Sequence, residues 1–209
     1  MDAIDAASAH LAAADPALGA WMIRIGPLAP PRLTRFSLVD ALGRSILYQQ
    51  LHGKAAETII GRVEAAIGSH RLTARALRSV SEEALRAAGV SGAKARALKD
   101  LADKVAARKL PAVERLVEMD DEAIIEALTA VRGIGPWTAQ MLLIFRLGRP
   151  DVLPASDYGI RAGVQLVHGL NTLPDARELS QRAEPWRPFR SLACLYLWKA
   201  LDVSRQVPR

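Results

Sequence analysis

The sequence holds a single cysteine, Cys194. One thiol cannot form an internal disulfide, and it excludes a cysteine-rich zinc site or a four-cysteine iron–sulfur cluster. No apolar run approaches the roughly twenty residues that a membrane-spanning helix needs. The first residues include Asp2 and Asp5 and lack the basic start and apolar core of a secretory signal. Together these absences predict a soluble protein of the reducing cytoplasm with no membrane partner. Runs that alternate β-branched and aromatic residues are also missing, which leaves little from which to build a sheet. Cys194 lies in the apolar run Leu192 to Trp198, so it is expected to be a small core residue.

What remains is a helical vocabulary. Half of the 209 residues are hydrophobic, enough to bury one good core or two small lobes. Asp15-Pro16 reads as an N-cap and first helical position, and Ser37 with Asp40 as a capping box opening a helix that runs to about Gln50. Ser81 and Ser91 cap two more helices, with Gly89 ending the first of them. Between Gly53 and Ile67 the residues Ala56, Ile59, Ile60, Val63 and Ile67 form one apolar stripe. Residues 92–108 repeat the pattern, with Lys94, Arg96, Lys99 and Lys104 read as a solvated face. The Pro-rich segment Pro27 to Pro31 and the turn-rich segment Gly148 to Pro154 interrupt the helices. The formal net charge is +6, which favours a polyanionic partner such as nucleic acid without proving one.

The most informative stretch is Val131-Arg-Gly133-Ile-Gly135-Pro-Trp137-Thr138-Ala-Gln-Met141. A helix opening near Asp120 ends at Val131. Gly133 and Gly135 then give a tight turn with access to positive φ, and Pro136 starts a second helix reaching about Arg146. Such a turn points backbone N–H groups outward at the positive end of a helix dipole, a grip for phosphate that reads no base. Alone, the same residues make an ordinary helical hairpin. Further on stands Leu153-Pro-Ala-Ser-Asp157-Tyr158-Gly-Ile-Arg161, with a carboxylate at the start of a new helix. Locally, Asp157 is a helix cap.

Taken together, Val131 to Met141 and Val152 to Gly163 resemble the helix-hairpin-helix, glycine/proline-rich loop and aspartate signature of the helix-hairpin-helix DNA glycosylases. The likeness is to the 3-methyladenine DNA glycosylase II group. Ser45 to Ala56 is similar to an early helix and loop of that group, and Arg187 to Trp198 to its C-terminal helix; the resemblance covers about residues 37–201. It implies an all-α fold of two helical lobes with a cleft between them. The whole chain 1–209 would be one glycosylase domain, with lobe one at about 37–147, including the hairpin at about 120–147. Lobe two would be about 1–36 plus 148–209. It implies Asp157 as the catalytic residue and a base pocket of Trp137, Trp198, Met141 and Tyr158. The DNA contacts would come from Gly133, Ile134, Gly135, Trp137, Thr138 and Arg161, with Gln50 and His52 entering the duplex where a base has flipped out. Lyase-competent relatives carry a lysine at the position of Trp137, so its absence implies water as nucleophile. The expected protein acts as a monomer on double-stranded DNA containing damaged bases and releases alkylated purines, with no cofactor and no catalytic metal. A glycosylase for another lesion, or a non-enzymatic DNA-binding module, is the alternative. One departure is plain: the bacterial enzymes of this group carry an extra N-terminal α/β domain that this helical chain has no room for.

Overall fold

The computed structural model describes residues 3–206, so that Asp2 lies outside it. Every regular element among the described residues is a helix, as the sequence predicts. The chain divides into two compact units, a continuous one of residues 35–142 and a split one that joins residues 1–34 to 143–209.

The chain begins with α1 (Ala3–Ala14) and α2 (Pro16–Ile25). It continues through α3 (Leu38–Tyr48), α4 (Gly53–Ile67), α5 (Ala74–Ser79), α6 (Glu82–Ala87), α7 (Gly92–Ala106), α8 (Val113–Glu118), α9 (Asp121–Thr129) and α10 (Pro136–Phe145). After these come α11 (Tyr158–His168), α12 (Ala176–Arg182), a 3-10 turn at Glu184–Trp186 and α13 (Arg190–Gln206).

In the continuous unit α7 packs against α3, α5 and α6. Leu42, Ile46, Leu98 and Leu101 are completely buried there, each worth about 1.5–3 kcal/mol of burial. Ser81 and Ser91 cap α6 and α7, and the chain turns at Gly89 after α6, as read from the sequence. Of the stripe on α4, Ala56, Ile60 and Val63 are buried and Ile59 and Ile67 half-buried.

Two expectations need correction. Ser37 caps α3 by accepting the Asp40 N–H at 3.4 Å, but Asp40 does not reach back to close a capping box. Its carboxylate instead accepts the Leu72 N–H at 2.9 Å and Arg44 Nε at 3.0 Å, because a strong donor and an orphan amide lie closer to hand. Nor is the basic side of α7 simply solvated. Lys94 Nζ donates to the carbonyls of Leu47 and Gln49 at 2.7 and 2.6 Å, and Lys99 Nζ to those of Arg78 and Val80. Each ammonium sits at the carbonyl end of a helix, where the unpaired C=O groups and the dipole favour a cation.

The split unit is built on α2, α11 and α13. Leu18, Ile160, Val164, Leu197 and Cys194 are all completely buried in it. Cys194 is thus the core residue expected, and burial pushes its thiol far up from the ordinary value. The Pro-rich segment is pinned rather than loose: Leu28 N–H donates to the Tyr196 hydroxyl at 3.0 Å, and Thr34 N–H to Arg146 O at 2.9 Å. Trp186 is fully buried, whereas Trp21 is half-buried under the Arg24 guanidinium.

Asp15 ties these pieces together. Its Oδ1 caps α2 through the Leu18 N–H at 3.0 Å, and its Oδ2 accepts both Trp186 Nε1 and His168 Nε2 at 2.9 Å. His168, at the end of α11, is also 3.1 Å from Val164 O through Nδ1, an arrangement in which both ring nitrogens donate. The bond to Asp15, opposed by burial, raises the His168 pKa above its ordinary 6.5. Burial pushes the Asp15 carboxyl up, but the bonds from His168, Leu18 and Trp186 outweigh it and leave the pKa below 3.8. Stability from His168 is therefore complete below pH 6.5 and is lost as pH rises through its raised folded value. That from Asp15 is present above 3.8 and lost on acidification through its lowered one. His168→Gln should cost about 1–2 kcal/mol in urea denaturation at pH 6 and markedly less at pH 9. An equal cost at both pH values would show that the imidazolium–carboxylate bond is not what stabilises this junction.

Candidate functional site

The carboxylate singled out in the sequence sits in the split unit. Asp157 is the N-cap of α11, its Oδ1 accepting the Ile160 N–H at 2.8 Å. The same oxygen accepts Trp198 Nε1–H from α13 at 3.0 Å. The cap reading of the residue holds, and the capping oxygen also takes an indole N–H. The backbone before it is fixed by α13. Ser191, fully buried, donates Oγ–H to Arg149 O at 2.7 Å and accepts the Val152 N–H at 3.0 Å. Arg190 clasps Asp151 with Nε on Oδ1 at 2.6 Å and Nη2 on Oδ2 at 3.0 Å, a bidentate pairing of the strong, orienting kind. The break in helical pattern at Gly148 to Pro154 is therefore an ordered lead-in that aims Asp157.

Gly159 makes the meeting of Asp157 and Trp198 possible. A Cβ at this position would stand 2.9 Å from Trp198 Cδ1 and 3.0 Å from Asp157 Oδ1, closer than real contacts allow, so any side chain would part the two. The spacing Asp-Tyr-Gly carries this signal, but only knowledge of the partner on α13 makes it readable. Phe145 was also missed. It is 47 % exposed and stacks on the Trp198 ring, with centroids 5.8 Å apart and planes 27° from parallel. Tyr158 is 67 % exposed at the first position of α11. Arg161 is half-buried and directs Nε to Pro174 O at 2.6 Å, bracing the turn after α11.

The hairpin lies in the continuous unit between α9 and α10. Gly133 takes φ +77°, the left-handed value that favours glycine, whereas Gly135 does not, so the turn needs only one of its two glycines for backbone reach. Ile134 is buried and its N–H already bonds Val131 O at 3.1 Å, which removes that amide from the outward set. The first intrahelical bond of α10 here is Ala139 N–H to Gly135 O at 3.2 Å. The amides of its first turn therefore precede the ladder, at the positive end of the helix. Thr138 turns its side chain inward, at 5 % exposed, and can contribute only backbone, while Trp137 is 45 % exposed and Met141 half-buried.

Two polar side chains that the sequence did not single out, Asp100 and Gln49, together with Lys94, hold this hairpin and the loop after α3. Asp100 Oδ2 accepts the Arg132 N–H at 2.7 Å. Burial pushes its carboxyl up, and the bonds from Lys104 and Arg132 more than offset this, so the pKa stays below the usual carboxylate value. Gln49 Nε2 donates to Gly133 O at 2.8 Å, and Lys94 holds the carbonyls of Leu47 and Gln49. Next to Gln49 comes Gln50, exposed, at φ +58°. A non-glycine residue at positive φ is costly and persists where its surroundings over-determine it. His52, also exposed, precedes α4 without capping it through its side chain.

Among the described residues no group of three or more His, Cys, Asp or Glu could hold a metal ion, and no helix is long and apolar enough to cross a membrane.

DNA-3-methyladenine glycosylase 1 of Schizosaccharomyces pombe is 37% identical over 166 residues, which are 79% of this chain and 73% of the relative. The solved structure of the Schizosaccharomyces pombe 3-methyladenine DNA glycosylase in complex with abasic DNA matches with a TM-score of 0.86 at 33% identity, covering 97% of this chain and 99% of that one. A DNA-3-methyladenine glycosidase from Bacillus halodurans matches with a TM-score of 0.84 at 35% identity, covering 94% of this chain and 90% of the other. A family model, that of the HhH-GPD superfamily of base excision DNA repair proteins, matches residues 44–188, and the chain belongs to that superfamily.

Proposed function

We propose that the protein is a monofunctional DNA glycosylase of base excision repair, which flips N3- and N7-alkylated purines out of duplex DNA and hydrolyses their glycosidic bond. The observation that carries the reading is the carboxylate of Asp157, fixed by the Ile160 N–H and the Trp198 indole N–H in a chain of the base excision superfamily. Its relatives are named for 3-methyladenine release, which points to the alkylated purines.

Breaking an N-glycosidic bond builds positive charge on the sugar. A carboxylate whose position is set in advance stabilises that charge more in the transition state than in the ground state. Asp157 is this group and water is the nucleophile, because Trp137 stands where the lyases of the superfamily carry their lysine. N3- or N7-alkylation makes the purine cationic, so it leaves without a general acid and stacks well on an aromatic face. We assign the contacts with that base to Trp137, Trp198, Met141 and Tyr158. Extraction of a base from the stack costs a few kcal/mol, least for damaged pairs. Gln50, held on a braced loop, fills the vacated space, and His52 follows it into the minor groove. The hairpin amides of Gly133, Gly135, Trp137 and Thr138 grip a phosphate, with Arg161 as a further DNA contact. The enzyme works on damaged double-stranded DNA as a single copy in the cytoplasm, without a cofactor.

Asp157→Asn should lower single-turnover release of 3-methyladenine by at least about 100-fold while leaving duplex affinity within a few-fold of wild type; near-normal release would remove Asp157 from the chemistry. Gly159→Ala and Trp198→Phe should each slow release about tenfold or more, through the loss of one donor to the carboxylate. A wild-type rate in both variants would show that the indole bond is idle. On a labelled duplex, the strand should stay intact until alkali is added, and 7-methylguanine should be released faster than hypoxanthine. A borohydride-trapped adduct would disprove the monofunctional assignment, and faster hypoxanthine release would contradict the argument from leaving-group charge.

A further inference from the structure

Beside the hairpin the continuous unit holds a cavity of about 210 Å³, lined by Gln49, Lys94, Arg96, Arg132 and Gly133 among others. Its walls come from three elements: the hairpin, the loop after α3 and the first turns of α7. The charged side chains that line it, Lys94, Arg96 and Arg132, are all basic. Arg86 Nη1 and Arg96 Nη1 come within 2.7 and 3.5 Å of the point where a Cβ on Gly92 would stand. Both guanidinium tips thus lie over the first residue of α7, the positive end of a 15-residue helix.

Neither Arg86 nor Arg96 makes a side-chain hydrogen bond or ion pair with another described residue. Lys94 lines the cavity but is committed to the Leu47 and Gln49 carbonyls, and burial lowers its pKa. Asp100, an acid within electrostatic reach of Arg132, is already bonded to Lys104 and to the Arg132 amide. Like charges gathered this closely repel one another, and the arrangement becomes favourable once an anion enters between them.

We infer that this cavity is a second phosphate site, in which Arg96 and Arg132, with Arg86 at the rim, bind a phosphodiester of the DNA strand next to the one held by the hairpin amides. The inference rests on the proposed action on DNA. Gly133 belongs to the hairpin turn and also lines the cavity, so a strand gripped by the turn brings its neighbouring phosphate to the cavity mouth. Guanidinium groups suit that ligand, since their fixed fork of donors matches two phosphate oxygens at once. Arg132 and Arg96 would add affinity without base preference, as backbone contacts do.

The test is the salt dependence of binding to a lesion-free duplex. Neutralising phosphates releases counterions, and each phosphate contact contributes about 0.9 to the slope of log K against log salt. The double variant Arg96→Gln/Arg132→Gln should lose about 0.9 from the wild-type slope, whereas Arg96→Lys, which keeps the charge, should retain it. A melting curve equal to that of wild type confirms that the variants are folded. An unchanged slope in the folded double variant overturns the proposal. So does competition by inorganic phosphate at constant ionic strength in the wild type with no slope change in the variant, which would make the cavity a site for a free anion. Release of alkylated purines by the wild type is scored separately. Its absence alongside a lowered slope would refute the glycosylase reading and leave the phosphate site standing.

Discussion

One oxygen atom, Oδ1 of Asp157, accepts two hydrogen bonds that have different purposes. The bond from Ile160 starts α11, and the bond from Trp198 ties the same residue to α13. Because α11 and α13 are the helices on which the core of the split unit is assembled, the position of the carboxylate is set by the packing of that core rather than by a flexible side-chain torsion. A charge held so firmly would need little reorganisation in the role proposed for it, the stabilisation of positive charge on a sugar. The lead-in repeats the logic, since Asp151, through Arg190, and Arg149 and Val152, through Ser191, anchor to the first turn of α13.

The continuous unit uses another device. Its hairpin and the loop after α3 are irregular backbone whose polar groups would otherwise lack partners. Side chains from α7 and the loop supply them: Lys94 takes two carbonyls of the α3 end, Gln49 takes the Gly133 carbonyl, and Asp100 takes the Arg132 amide. These bonds connect the turn proposed to grip phosphate with the loop proposed to fill the gap in the duplex. The positive φ of Gln50 is kept within this brace.

The sequence made the helices legible because local signals suffice for them. Asp15, Ser81 and Ser91 cap their own helices through neighbours three residues away, and Gly133 turns because its own backbone must. Asp157 stood out for the same reason. What stayed hidden depends on residues distant in the chain. Asp40 looked like half of a capping box until Leu72 and Arg44 claimed its carboxylate. Lys94 and Lys99 looked like surface charges because nothing in their own helix reveals the carbonyls they meet. Gly159 and Phe145 gain meaning only from Trp198, which lies some 40 residues or more away in sequence.

The burial of Cys194 bears on the chemistry of damage itself. Electrophiles that alkylate ring nitrogens of purines also attack sulfur, and they attack the thiolate far faster than the thiol. The only thiol in this chain is completely enclosed by the split unit's core, with ionisation strongly disfavoured by that burial. The chain thus presents no reactive thiolate to such electrophiles.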